Sequence, residues 1–338
     1  LTLAAIFGCS GPVLTAGEAA FFRDVSPFGF ILFRRNVESP GQVRALVDAL
    51  RETVGRADAP VMIDQEGGRV QRLGPPHWPV YPPGRVYGAV KSDDPLLAQA
   101  FARLGARLMA DDLHRLGINV DAVPVLDVPQ PGAHDVIGDR AYGTTAERIA
   151  TLGRAAAEGL LAGGVLPIIK HIPGHGRALA DSHLHLPVVD ASAADLSEVD
   201  FAPFRALSDM PMAMTAHVIY SAIDRRQPAT TSRRVVREVI RGDIGFDGLL
   251  MSDDLSMKAL SGTFAERTRR SLAAGCDVVL HCNGDMGEMV QIAAAARPLA
   301  TRGRQRAAAA LGRIPRSVEP LDAEAARERF RQLVASAT

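Results

Sequence analysis

Lys170, His171, His175, Asp181 and His183 fall within fourteen consecutive positions. The stretch reads Lys170-His171-Ile172-Pro173-Gly174-His175-Gly176 and, after a four-residue gap, Asp181-Ser182-His183. An imidazole takes and gives protons near neutral pH, and a carboxylate beside it can fix its tautomer and support its charged form. The bland alternative is a surface loop with incidental charges. Such a loop is solvated by Lys, Glu and Ser and has no use for three His. The apolar run Gly164–Ile169 just before it reads as a buried strand, and the Gly and Pro after it as a sharply bent loop. Reactive groups therefore gather where a rigid strand hands over to a mobile connection, a common place for function.

A second candidate is Met251-Ser252-Asp253-Asp254-Leu255. A strand-end carboxylate can serve as nucleophile, base or metal ligand. Adjacent strand residues point to opposite faces, so one Asp is expected to face the site while the other caps the following turn. The pattern does not choose between them. The third candidate is Asp64-Gln65-Glu66-Gly67-Gly68-Arg69-Val70-Gln71-Arg72. Its spacing is not that of a phosphate-cradling loop. Asp suits sugar hydroxyls, Arg offers a fork of donors, and paired Gly lets the backbone approach a ligand. A structural turn is the competing reading.

Lys170 can form a Schiff base if desolvated, but its polar neighbours favour hydrogen bonding to a substrate. Arg140 lies in a loop, Ile137–Gly143, placed to bind substrate, and His217 and Asn283 qualify only by position at strand ends. His183-Leu184-His185 also has the look of a metal-ligand pair. In metal-dependent barrel hydrolases such a pair sits on the first strand, and Leu3–Phe7 carries none, so neither metal nor cofactor is expected. Trp78, among prolines, suits a sugar-binding rim and a packing role equally.

These groups need a scaffold. Eight apolar runs recur: Leu3–Phe7, Gly29–Phe33, Pro60–Ile63, Ile118–Val120, Leu166–Ile169, Met212–Met214, Gly248–Met251 and Asp277–Leu280. Helical periodicity separates most of them, over Val43–Thr53, Leu96–Leu116, Glu147–Leu161, Ser232–Ile240 and Phe264–Ala274. Strands alternating with helices predict a parallel sheet, and eight units predict a closed α/β barrel of the (β/α)₈ type. Polar residues follow nearly every run: Arg34-Arg35-Asn36, Asp64-Gln65-Glu66, Asp121, Lys170-His171, His217, Ser252-Asp253-Asp254 and His281-Cys282-Asn283. In a barrel all of these meet at the C-terminal mouth, where such folds carry their chemistry. The barrel is expected to end near residue 285. Glu288–Leu311 and Ala323–Ala337 then read as helices packing on it, within one catalytic domain spanning 1–338.

The chain of 338 residues is 47% hydrophobic and 22% charged, with formal net charge zero. That composition supports a sizeable core and argues against a nucleic-acid partner, which needs a basic face. Cys9, Cys276 and Cys282 are too few for a disulfide framework and fit a reducing compartment. Leu1–Phe7 before Gly8-Cys9 faintly suggests a lipoprotein cleavage site, but no basic residue precedes it and the run is short, so a first strand ending at Gly8 is expected. No run of eighteen apolar residues occurs, so no membrane span is expected.

Taken together and in order, the motifs at Asp64–Val70, Lys170–Gly176, Asp181–His183 and Ser252–Met257 resemble those of family 3 glycoside hydrolases, most closely the single-domain bacterial β-N-acetylglucosaminidases of peptidoglycan recycling. The similarity runs from about residue 5 to about 285. It departs at Ile172, where Phe is usual. The resemblance implies a retaining mechanism with Asp253 as nucleophile, His183 as acid/base and Asp181 supporting His183. It implies that Asp64, Arg72, Arg140, Lys170 and His171 bind the N-acetylglucosamine hydroxyls. The implied substrate is a muropeptide fragment, terminal N-acetylglucosamine on anhydro-N-acetylmuramic acid, and the implied location cytoplasmic. Independent chemistry agrees: a His acid starts near the right pKa, and a Gly/Pro-bounded loop lets it swing aside while sugar enters. Three alternatives remain. One is a phosphorylase using phosphate in place of water, another a metal-dependent hydrolase built on Asp253, His183 and His185, the third a barrel that binds sugar without cutting it.

Overall fold

A computed structural model describes residues 1–90, 94 and 96–337. Residues 91–93, 95 and 338, part of the expected span 1–338, lie outside the described residues. Eight parallel strands close into a barrel in sequence order: β1 (Leu3–Gly8), β2 (Pro27–Leu32), β3 (Val61–Ile63), β4 (Val120–Asp121), β5 (Leu166–Ile172), β6 (Met212–Thr215), β7 (Leu249–Asp254) and β8 (Val278–His281). β8 pairs back onto β1 with Ala5 opposite Val279. Nearly every strand residue is buried, because helices cover the outside and side chains fill the inside. That double burial is why the runs are continuously apolar rather than alternating.

A helix follows each strand: α1 (Ala16–Val25), α2 (Pro40–Val54), α3 (Leu97–His114), α4 (Ala146–Ala162), α5 (Ala202–Ala206), α6 (Val235–Asp243), α7 (Phe264–Ala274) and α8 (Met286–Ala295). α2 shows how the sequence sets its limits. Ser39 caps it in a box with Gln42, Pro40 opens its first turn, and Gly55 closes it at φ 60°. Val43, Leu46, Val47 and Leu50 form its buried stripe.

Three expectations on the elements are corrected. β5 was placed over Leu166–Ile169 with Lys170-His171 after it, but the strand runs on to Ile172, because Lys170 pairs with Met214 and Ile172 with Thr215 on β6. The helix expected over Ser232–Ile240 opens where expected, with Ser232 Oγ accepting from Val235 N at 3.1 Å, but its π-type part, α6, runs on past Ile240 to Asp243. Glu288–Leu311 is two helices, α8 and α9 (Thr301–Leu311). Between them Arg297 and Leu299 hydrogen-bond backbone to backbone with Ala4 and Thr2, and Pro298 cannot continue the first helix. The last helix, α10 (Ala323–Ala337), packs Phe330 against Tyr81, Tyr87 and Phe101, and Arg327 bonds Asp112 at 2.7 Å. Trp78 lies buried in the main core, so of its two readings packing holds. Among the described residues no helix is long and apolar enough to cross a membrane.

Candidate active site

At the C-terminal mouth a cavity of about 250 Å³ is lined by Asp64, Arg72, Arg140, Lys170, His171, His183 and Asp253 among others. Seven of the eight residues singled out above thus share one cavity. The eighth, Asp181, stands behind His183.

The floor is an ionic cluster. Lys170 Nζ lies 3.0 Å from Asp64 Oδ1 and 2.7 Å from Glu66 Oε1, with its side chain 2% exposed. Arg72 donates to Asp64 Oδ2 at 3.1 Å, and Arg140 grips both oxygens of Glu66 at 2.8 Å. Burial pushes both carboxyls upward, but the adjacent cations outweigh it. Lys170 and Arg72 hold Asp64 well below the usual carboxylate range, and Arg140 and Lys170 bring Glu66 down to about 2. Arg140 is brought in by its loop, whose preceding turn Arg69 clamps by donating to the carbonyls of Asp135, Val136 and Ile137.

Glu66 stands in the Asp64 motif but was not singled out as a site residue. Its signal was there: it is two residues from Asp64, with Lys and Arg candidates needing more than one counter-charge. The paired glycines correct another expectation. Gly67 and Gly68 have φ of 90° and 56°, and a Cβ on Gly67 would sit 2.3 Å from the carbonyl of Pro82. They let the hairpin Gln65–Gly67/Val70–Gln71 press on residues 81–83 rather than on a ligand.

His171 is oriented by a residue the sequence reading missed. Asp127, fully buried, takes His171 Nδ1 at 2.7 Å and the backbone N–H groups of His171 and His175 at 3.2 and 2.7 Å. A lone Asp inside the apolar run Val123–Val128 was the available signal, since buried charges are paired.

The two Asp on β7 part company through their partners. Asp254 is consumed by the following turn: it accepts from Ser256 N at 3.0 Å, from Ser256 Oγ, and from Cys282 N at 3.1 Å. Among the described residues, Asp253 Oδ1 accepts a single bond, from Asp254 N at 2.7 Å. Both border the cavity, so the expectation of strict opposite facing does not hold; a register irregularity between Met251 and Asp254 bends the strand there. Burial would raise the Asp253 carboxyl, but the imidazoles of His217 and His171, the Asp254 N–H and His183 together hold it below its usual range. It is ionised at neutral pH. His217, fully buried, donates Nε2–H to the Asp254 carbonyl at 3.0 Å, because a carbonyl can only accept, and burial keeps its ring neutral.

His183 stands on the loop after β5 with its side chain 63% exposed. Asp181 Oδ1 accepts from both its backbone N at 2.9 Å and its Nδ1 at 2.8 Å. That fixes a proton on Nδ1 and leaves Nε2 as the working nitrogen. The base of this loop is tied down: Arg177 pairs with Asp200 at 2.6 Å, and Gly176 and Ala178 accept from the 130–134 segment. Not all strand-end residues reach the cavity. Arg35 and Asn36 brace the backbone after β1 by bonding Cys9, and Asn283 bonds Glu288. His185 is exposed and absent from the cavity wall.

Residues 20–316 match the family model described as the glycosyl hydrolase family 3 N terminal domain. A protein of Alkalilimnicola ehrlichii named β-hexosaminidase is 40% identical over 282 residues, covering 82% of this chain and 80% of the relative. One of Bordetella avium with the same name is 40% identical over 278 residues, 81% and 79% of the two chains. Among solved structures, NagZ from Neisseria gonorrhoeae in complex with N-trifluoroacetyl-D-glucosamine superposes with a TM-score of 0.86 at 31% identity, over 100% of this chain and 98% of the other. With that match spanning most of the chain and the barrel shared, this chain belongs to glycoside hydrolase family 3.

Proposed function

We propose that this glycoside hydrolase is a retaining exo-β-N-acetylglucosaminidase. One observation carries the reading: an ionised carboxylate on a strand end, Asp253, and an imidazole with a fixed tautomer, His183, border the same small cavity. Retaining cleavage needs a nucleophile and an acid/base on one linkage. Asp253 attacks the anomeric carbon, its ionised state supplying the electron pair. His183 Nε2–H protonates the leaving oxygen, and Asp181 supports the imidazolium during that step. The neutral Nε2 then takes a proton from water as it opens the glycosyl-enzyme. Asp64, Arg72, Arg140, Lys170 and His171 hold the hydroxyls of the terminal sugar, and pairing among the charged ones keeps their donors pre-oriented.

Three things support N-acetylglucosamine: the β-hexosaminidase names of the relatives, the N-trifluoroacetyl-D-glucosamine held by the Neisseria protein, and a cavity small enough to suit a terminal unit. A muropeptide fragment as substrate and a cytoplasmic location complete the reading, along with one domain that includes the C-terminal helices. The test is turnover of aryl N-acetyl-β-glucosaminides. Asp253→Ala is expected to lose activity almost entirely. His183→Ala is expected to lose far more with a poor leaving group than with a good one, because a good one needs little protonation. Full activity in Asp253→Ala would end the mechanism. Turnover should not need phosphate, and a sugar 1-phosphate product would transfer the second step to a phosphorylase.

A further inference from the structure

Ser182 lies between Asp181 and His183 and behaves unlike either. It is only 3% exposed, while the His183 side chain stands out in the open. Its hydroxyl faces His175 Nε2 at 3.1 Å. Its carbonyl accepts from Ala259 N at 3.2 Å, and that of His183 accepts from Lys258 N at 3.4 Å. Lys258 and Ala259 lie just beyond β7, the strand that ends in Asp253. The loop is therefore fastened from below by one side chain and from the side by the Asp253 segment.

His175 is built to hold that position. Its backbone N–H donates to Asp127 at 2.7 Å, the same carboxylate that orients His171. The residue is 3% exposed, and its Nδ1 is buried without a partner among the described residues. Placing the single proton of a neutral ring on Nδ1 would strand a buried N–H. Placing it on Nε2 gives Ser182 Oγ a donor and leaves only a bare lone pair. Burial lowers the ring to about 4 against the pull of Asp127, which agrees with a neutral donor. His175 thus offers no charge to compete with the imidazolium of His183.

We infer that His175 and Ser182 are a positioning pair that pins the loop immediately beside His183 and so sets where its Nε2 stands relative to the glycosidic oxygen. The inference rests on the assignment of His183 as acid/base. Neither residue of the pair exchanges a proton with substrate; both act through His183. The pin joins three separate pieces of chain into one unit: β4's continuation through Asp127, the strand-end motif through His175, and the acid/base loop through Ser182.

A pair that merely packs the loop would, when cut, slow all substrates alike. A pin on the acid slows the first, glycosyl-transfer step only for those that need the proton. Ser182→Ala is therefore compared with the parent on two aryl N-acetyl-β-glucosaminides, one with a poor leaving group and one with a dinitrophenol. We expect kcat/KM, which reads the first step alone, to fall about 10- to 100-fold on the first, the cost of misplacing a reacting group by about 1 Å. We expect less than about 2-fold change in kcat/KM on the second, and recovery in Ser182→Thr, which restores the hydroxyl. In a His183→Ala background, Ser182→Ala should add nothing. Equal losses of kcat/KM on both substrates, or additive losses in the double variant, overturn the pin. Loss of leaving-group dependence in His183→Ala alone would instead overturn the assignment of the acid/base, so the two failures are told apart.

Discussion

Replacing Glu66 by Gln removes one charge from the ionic floor while keeping its shape. Glu66 is 6% exposed, gripped at two points by Arg140 and reached by Lys170 at 2.7 Å. Burial alone would raise its carboxyl; Arg140 and Lys170 lower it from 4.5 to about 2. That drop corresponds to about 3 kcal/mol of folding stability. The same scale, about 3–5 kcal/mol, applies when one partner of a buried ion pair is lost. Because the folded-state value is depressed, this stabilisation is complete above the unfolded value near 4.5 and disappears as pH falls through about 2. Urea unfolding at pH 7 should therefore show Glu66→Gln about 3 kcal/mol less stable than the parent, at similar m. The gap should narrow steadily between pH 4.5 and pH 2. KM should also rise, because Arg140 loses its clamp. A loss under about 1 kcal/mol at pH 7, or a gap that ignores pH, would refute the idea that paired charges, rather than packing, set up this floor.

His175 gives a second pH window. Its folded-state value is lowered by burial from 6.5 to about 4, so the stability it contributes is complete above pH 6.5 and is lost as pH falls through about 4, again about 3 kcal/mol. Urea unfolding of His175→Gln should lack that slope between pH 6.5 and 4; an unchanged slope would place the titration elsewhere. The three Cys are buried, with Cys9 and Cys276 pushed up to about 12 and Cys282, on the cavity wall, raised too. Thiol titration at pH 7.5 should find essentially no fast-reacting group until denaturant is added. Phe330→Ala should cost about 3–5 kcal/mol by opening the space among Tyr81, Tyr87 and Phe101. If α10 belongs to the same cooperative unit as the barrel, calorimetry shows one transition shifted down. A separate early transition would divide the chain.

What could be read in the sequence was what depends on local pattern. Eight buried strands announce themselves because both faces are covered, and the residues just past them announce the mouth. What could not be read was partner assignment across the barrel. Asp253 and Asp254 are equivalent in pattern, and they separate only because Ser256 and the distant Cys282 N–H claim Asp254. β5 reaches Ile172 because β6 and Val125 supply partners from other units. Glu66 and Asp127 were legible in principle, as charges in apolar or cation-rich surroundings, but their partners lie 74 and 44 residues away. The break between α8 and α9 was fully legible, since Pro298 interrupts the helical spacing.

The central claim is that Asp253 carries the sugar during turnover. Rapid quenching with a good-leaving-group N-acetyl-β-glucosaminide, followed by peptide mass spectrometry, tests it directly. The account predicts one N-acetylhexosamine residue attached to the peptide that contains Asp253, and none in Asp253→Ala. A sugar attached to another carboxylate, or an unmodified enzyme that turns over with inverted product, would contradict it.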